Sequence, residues 1–371
     1  MTQVVVIGAG VVGAAIAYEL SQVRGLNVTL LDQNTSASGA TGAALGILMG
    51  AISHKTKGRA WRLRQTSMQR YEKLVSELEA LTGTCIPFNQ QGILKPCFAE
   101  QDLEQWEKLV EIRRAQGWQL EIWEEAQVKA QCPQLHHEKI IRAIYSPQDR
   151  QINPTALTQA LVAGANLNGV NCQFGMSALD VTATYHCNAS ETKTSRKLHT
   201  SAGVLDTDWL VVAAGLGSMP LTASMAQPLD VRPVLGQALH LRLPRSLEYR
   251  NFQPVVTGDD VHIIPLGEGD YWVGATVEFP DEAGEVAAEP ALLEKVKQEA
   301  ITLCPALAEA TILNTWSGKR PRPEGRAAPI IEALPGYDNV LLATGHYRNG
   351  ILLAPATAQA IREAIVRTIK N

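Results

Sequence analysis

The chain has 371 residues, 46% of them hydrophobic, with a formal net charge of −4. That length exceeds one ordinary core and points to about two domains, and the hydrophobic share excludes a disordered chain. A mildly acidic balance leaves no electrostatic footprint for nucleic acid or an anionic membrane surface.

Apolar β-type residues begin at once, at Gln3-Val4-Val5-Val6-Ile7, so no targeting segment is predicted. No apolar stretch is long enough to span a bilayer, which excludes a predicted membrane helix. Cys85, Cys97, Cys132, Cys172, Cys187 and Cys304 are scattered without a CxxC pair. They read as reduced packing thiols of a cytoplasmic protein with no metal site.

In chain order, residues 3–7 predict a buried strand, Ala14–Gln22 a helix and Asn27–Leu31 a second buried strand, which together make a βαβ unit. The small-residue stretch Gly39–Gly50 reads as backbone shaped around a ligand. Helical spacing of Met68, Tyr71, Leu74, Val75, Leu78 and Leu81 predicts a helix over Arg59–Leu81. Further helices are predicted over Glu100–Gln116 and, opened by Pro154, over Thr155–Asn166.

Trp209–Gly215 reads as a buried strand ending in glycine. Ala238–Leu243, Val261–Pro265 and Tyr271–Phe279 read as strands, the last two joined by a hairpin turn at Gly267-Glu268-Gly269-Asp270. A helix over Ala291–Leu303, a strand over Asn339–Ala343 and a last helix over Ile351–Ile369 complete the chain. Buried, parallel-type strands near both ends and the middle predict a mixed α/β fold: a discontinuous Rossmann-type domain with an inserted antiparallel-sheet domain. The expected division is 1–84, 146–224 and 321–371 for the first, and 85–145 and 225–320 for the second.

Gly8-Ala9-Gly10-Val11-Val12-Gly13 matches GxGxxG between a strand and a helix, the context that gives this short motif meaning. Gly8 permits the tight turn, Gly10 lets a pyrophosphate approach the backbone, and Gly13 lets helix and strand pack closely. Asp32, at the end of the second strand, can accept hydrogen bonds from a ribose diol; its plain alternative is a solvated loop residue. FAD and NAD share this fingerprint. A second glycine-bounded loop, Gly345-His346-Tyr347-Arg348-Asn349-Gly350, precedes the last helix, and two such loops fit a long dinucleotide such as FAD better than NAD.

The loop and its continuation, Gly345-His346-Tyr347-Arg348-Asn349-Gly350-Ile351-Leu352-Leu353-Ala354-Pro355-Ala356-Thr357, resemble the D-amino acid oxidase superfamily, and most closely the glycine oxidases of thiamine biosynthesis. Gly274-Ala275-Thr276-Val277-Glu278 and Trp316-Ser317-Gly318-Lys319-Arg320-Pro321 match the same group, and the resemblance runs over essentially the whole chain. It implies FAD contacts at Val11, Val12, Asp32, Gln33, Ala40, Thr41, Leu45, Gly46 and Ile47, with Ala178 on the adenine side, Gly215 after the middle strand, and His346 through Leu352 around the isoalloxazine. No cysteine lies between Arg320 and Arg348, where sarcosine oxidases of the superfamily attach flavin, so non-covalent FAD is expected.

The resemblance also implies substrate-carboxylate binding by Arg320 and Arg348. A planar guanidinium can grip a carboxylate with two parallel hydrogen bonds and stays charged at any working pH. Arg320, amid Lys319, Arg322 and Arg326, has a solvated charge as its plain alternative. His262 stands where the family has a tyrosine assisting the carboxylate, and packing is the plain reading of a lone strand histidine. The basic run His54, Lys55, Lys57, Arg59, Arg62 and Arg64 reads first as a solvated helix face, and alternatively as a steering field for anionic substrates.

The implied reaction is oxidative deamination of glycine, sarcosine or a related N-substituted glycine, with hydride passing to flavin N5, no side-chain base, and dioxygen as acceptor. The imine product hydrolyses to a 2-oxo acid or passes on to thiazole formation. A flavin dehydrogenase using a quinone or carrier protein, and a non-enzymatic flavin-binding module, are the competing readings. The small amino acid and dioxygen are the expected partners, with a homo-oligomer left open.

Overall fold

The computed structural model describes residues 1–98, 103–135, 138, 140–185, 193–223, 225, 228–245 and 252–370. One sheet has six strands in the order Ile330–Ala333, Val340–Thr344, Trp209–Val212, Thr2–Ile7, Leu26–Asp32, Asn171–Phe174. All neighbours run parallel except the first pair. Trp209–Val212 and Val340–Thr344 are buried throughout, as strands covered on both faces must be.

The alternation of side chains divides this sheet's core in two. Val4, Val6, Leu30 and Val211 pack with the helices Val11–Ser21, Pro154–Leu167 and Gly350–Lys370. Val5, Ile7, Leu31, Leu210 and Val212 face the other way, against Leu198 and its neighbours from a small antiparallel sheet over 178–206.

The second large sheet has eight strands, ordered Thr311–Pro323, Val231–Arg242, Asp270–Gly274, His262–Gly267, Val255–Thr257, Ile93–Cys97, Arg142–Ser146, Glu121–Glu124. Only Val255–Thr257 and Ile93–Cys97 pair in parallel. Leu239, Leu241 and Val273 of this sheet pack on Val296, Ala300 and Leu303 of the helix Pro290–Leu303. The fold is therefore mixed α/β with a mainly parallel sheet beside an antiparallel one.

Several elements differ from the sequence reading for identifiable reasons. The first helix starts at Val11, three residues before the apolar run, because the Thr41 hydroxyl accepts from the Val11 N–H at 3.0 Å and so completes its first turn. The third helix spans Leu103–Ala115; residues 100–102 of the expected span lie outside the described residues. The hairpin turn forms as expected, with Glu268 at φ 52° and Gly269 at φ 84°, the left-handed pair of a two-residue connection.

The strand expected over Tyr271–Phe279 stops at Gly274; Glu278 then pairs separately with Leu235 through mutual backbone bonds of 2.9 and 3.0 Å. The strand Thr311–Pro323 carries two prolines and a glycine and has no clean alternation, so its pattern does not announce it. At the sheet edge a missing N–H is tolerated.

The last helix contains Pro355, which cannot donate to the carbonyl of Ile351. The Tyr71 hydroxyl donates to that carbonyl instead, at 2.6 Å. Cys85, Cys97, Cys132, Cys172 and Cys304 are free thiols, and Cys187 lies outside the described residues. Burial pushes Cys132 up to about 12 and Cys304 up to about 11, which makes them inert packing groups. Among the described residues no helix is long and apolar enough to cross a membrane.

Candidate active site

A cavity of about 1000 Å³ runs along the carboxyl edge of the six-stranded sheet and reaches the second sheet. Its lining includes Gly8, Gly10, Val11, Val12, Asp32, Gln33, Ala40, Thr41, Leu45, Gly46, Ile47, Ala178 and Gly215, with His262, Arg320, His346, Tyr347, Arg348, Asn349, Gly350 and Ile351. Two expected contact residues are absent from it. Gly13 serves packing instead: a Cβ there would sit 1.8 Å from the Gly8 carbonyl oxygen. Leu352 is 2% exposed and belongs to the apolar core beneath the loop, because the helical turn carries it away from the cavity.

At one end the geometry fits a dinucleotide diphosphate. Gly8 has φ 104°, and a Cβ on it would meet the Ala213 carbonyl at 2.6 Å. Gly10 leaves open the space in front of the first amides of the helix Val11–Ser21, where the helix dipole favours negative charge. The Asp32 carboxylate accepts from the Ala9 N–H at 2.7 Å and the Asn34 N–H at 2.8 Å, which fixes it while leaving lone pairs for a ribose diol.

The loop 345–350 closes the cavity from the far end of the chain. His346, 4% exposed, pairs through Nε2 with the Thr357 hydroxyl at 2.9 Å, and burial drives its pKa down to about 3. Tyr347 takes a left-handed φ of 53°, a strained conformation of the kind found where a site dictates the backbone. Gly350 then opens the last helix, directing its N-terminal amides at the cavity.

Arg320, His262 and Arg348 come together from three separated segments. Arg320 Nη1 donates to the carbonyls of Leu235 and Thr276, both at 3.0 Å, and its guanidinium lies where a Cβ on Gly236 would be, 2.2 Å from Nη2. Burial and then the charge of Arg348 lower its pKa, though from so high a value that it remains a cation. Arg348 Nη1 is paired with Asp260 Oδ1 at 3.1 Å. His262 Nδ1 lies 2.7 Å from the Thr257 hydroxyl. Enclosure, followed by the charge of Arg348, lowers its pKa to about 4, so it is neutral at physiological pH.

Other functional residues escape the sequence reading. Lys95 lines the same end and donates to Asp259 Oδ1 at 3.0 Å. Glu278 is buried and accepts from Gln237 Nε2 at 3.0 Å, from the Glu289 N–H at 2.7 Å and from the Thr276 hydroxyl, locking the turn whose Thr276 carbonyl holds Arg320. Arg64 is 9% exposed and lines the cavity, correcting the solvated-face reading of the basic run at this position. A signal is available: Trp61, Arg64, Met68 and Tyr71 recur at helical spacing and share the buried face.

A family model described as DAO, FAD dependent oxidoreductase, matches residues 3–364. The chain is 33% identical over 364 residues to the bifunctional protein ThiO/ThiG of a Nostoc species, covering 98% of this chain and 52% of that protein. It thus spans about half the length of the first such relatives. It is 27% identical to glycine oxidase of Bacillus licheniformis, covering 98% of this chain and 92% of that one. The crystal structure of glycine oxidase from Geobacillus kaustophilus superimposes with a TM-score of 0.84 at 26% identity, covering 99% of this chain and 95% of that one. The glycine cradle, the loop at the last helix and these matches agree: the chain belongs to the DAO family of FAD-dependent oxidoreductases.

Proposed function

We propose that this enzyme oxidatively deaminates a small amino acid, glycine or an N-substituted glycine such as sarcosine, with dioxygen as electron acceptor. The observation that carries the reading is the convergence of Arg320, Arg348 and neutral His262 on the part of the cavity closed by the loop 345–350. Bound FAD supplies the two-electron acceptor. The chain's own residues supply position. Arg320 is already fixed by two carbonyls, so little conformational freedom is lost when it grips a carboxylate. Arg348 exchanges Asp260 for that carboxylate. His262, uncharged above about pH 4, offers hydrogen bonding without adding a third charge. Holding the acid at two points orients its α-carbon, and such orientation is worth several kcal/mol of barrier.

The amine loses two electrons and two protons to become an imine, dioxygen takes up both electrons and both protons as hydrogen peroxide, and water converts the imine to a 2-oxo acid and ammonia, or methylamine where the substrate is sarcosine. The test is a panel of glycine, sarcosine, D-alanine and D-proline, scored for peroxide in air and for bleaching of the flavin without air. Peroxide with glycine or sarcosine supports the proposal. Bleaching without peroxide assigns a dehydrogenase, and no response to any amine removes the deamination reading.

A further inference from the structure

Three buried or half-buried arginines lie at or beneath the cavity, and they differ in what their guanidinium groups touch. Arg113, fully buried, is consumed by structure: it donates to the carbonyls of Ala51 at 2.7 Å, Ser53 at 2.5 Å and Lys55 at 3.0 Å and to Gln116 Oε1 at 2.6 Å, and it lies 3.7 Å over the Trp61 ring. Arg320 is held by two carbonyls. Among the described residues Arg64 has only the Ala60 carbonyl at 3.0 Å, within its own helix, and Asn349 Oδ1 at 3.3 Å. Its Nε is buried with no hydrogen-bond partner.

Asp149 attracts the Arg64 charge across space but outweighs neither its burial nor its unpaired donor, because it makes no ion pair or hydrogen bond with it. Asp149 is fully buried, and both its oxygens are taken: Oδ1 by the N–H groups of Gly50 and Ala51, Oδ2 by the Ile52 N–H and the Ser146 hydroxyl. Among the described residues Arg64 makes no ion pair. A buried cation with an unpaired donor is costly and persists where a ligand completes it. Its Asn349 contact places it beside the residue that follows Arg348, so cations approach the loop 345–350 from more than one side.

We propose that Arg64 is a second carboxylate-binding point, which makes the preferred substrate an amino acid with two carboxylates: one held by Arg320 and Arg348, the other by Arg64. This rests on the reading of Arg320 and Arg348 given above and narrows the substrate class within it. The dicarboxylate binds with its amine-bearing carbon between the two anchors. Of the cationic side chains that line the cavity, Lys95 and Arg348 are paired with Asp259 and Asp260, which leaves Arg320 and Arg64 among those without a carboxylate partner for such a dianion.

The test compares iminodiacetate and N-carboxyethylglycine with sarcosine and N-ethylglycine, using the holoenzyme and its Arg64→Gln and Arg64→Lys variants. The wild type is expected to favour a dicarboxylate at least tenfold in kcat/KM. Arg64→Gln lowers the ratio of dicarboxylate to monocarboxylate kcat/KM about a hundredfold, chiefly through KM, and Arg64→Lys recovers part of it because charge returns without the planar fork. FAD affinity and the flavin spectrum are read alongside. A wild type indifferent to the second carboxylate overturns the proposal, and so does an equal loss on all four amines or weakened FAD binding in Arg64→Gln. Sarcosine oxidation with no dicarboxylate preference leaves the deamination reading standing and removes only this one; failure on every amine removes both.

Discussion

At the end of the cavity that fits a diphosphate the lining is mostly backbone, the bare α-carbons of Gly8 and Gly10 and the first turn of the helix Val11–Ser21, with one side-chain carboxylate, Asp32, pinned to the Ala9 N–H. At the end proposed for the substrate it comes from long side chains on three separated segments, held by the carbonyls of Leu235 and Thr276, the Asp260 carboxylate and the Thr257 hydroxyl. The first end is specified by steric exclusion around Gly8–Gly13, against backbone and side chains brought in by the neighbouring strands. The second is specified by charge balance among groups spread along the chain from Asp260 to Arg348. Changes at the first should act on cofactor binding and folding together, and changes at the second chiefly on substrate preference.

The sharpest way to break that contrast is Gly13→Ala. The added methyl would lie 1.8 Å from the Gly8 carbonyl, so the helix must withdraw from the strand. We expect protein purified without yellow absorbance and a stability loss of about 3 kcal/mol in chemical denaturation; a flavin-replete variant would show that the cradle yields more than its packing suggests.

Next in size is Gly236→Ala. The new Cβ meets the guanidinium of Arg320, which must leave its two carbonyl partners, so the melting temperature should fall by a few degrees while the guanidinium is displaced. Steady-state kinetics should show kcat/KM reduced about a hundredfold, mostly in KM, with FAD retained. Loss of FAD in this variant would mean that the two ends are not separable.

His346 lies between the two ends and offers a pH test. Its pKa is about 3 in the folded chain against an ordinary histidine value of 6.5, so the unfolded chain takes up the extra proton as pH falls below 6.5. Stability is full above that value and declines toward pH 3, by up to about 1.4 kcal/mol per pH unit. Denaturation between pH 7 and 5, above the carboxylate range, should show this slope together with an equal share from His262, whose folded value is about 4, and His346→Gln should remove about half of the total. The smallest effect is expected from Asp260→Asn. Removing an exposed counter-ion frees Arg348, so KM should fall about twofold and lose part of its salt dependence. A rise in KM would assign Asp260 to the site as a needed partner.

The sequence is most readable where sterics alone decide. The fingerprint, the strands around it and the left-handed hairpin turn all follow from local residue types. The strand Thr311–Pro323 is unreadable because its pairing with Val231–Arg242 is long-range and its prolines argue against a strand until the edge position is known. Asp260 and Glu278 act through partners far away in sequence, which no local pattern encodes. Arg64 is different: the helical period points inward, against the usual placement of arginine on the outside.

The bond from the Tyr71 hydroxyl to the Ile351 carbonyl fills a vacancy that Pro355 creates, and the Ser67 hydroxyl accepts from the Ala356 N–H at 3.2 Å one turn further on. These two rivets fasten the long helix that carries Arg64 to the helix that follows the loop 345–350. Neither can slide without the other, so the wall they form behaves as a fixed jaw. The short stretch Gly258–Val261 is tied to that wall more lightly, through the ion pair of its exposed Asp260 with Arg348, so a change of charge there should alter the cavity more easily than any change in the two helices.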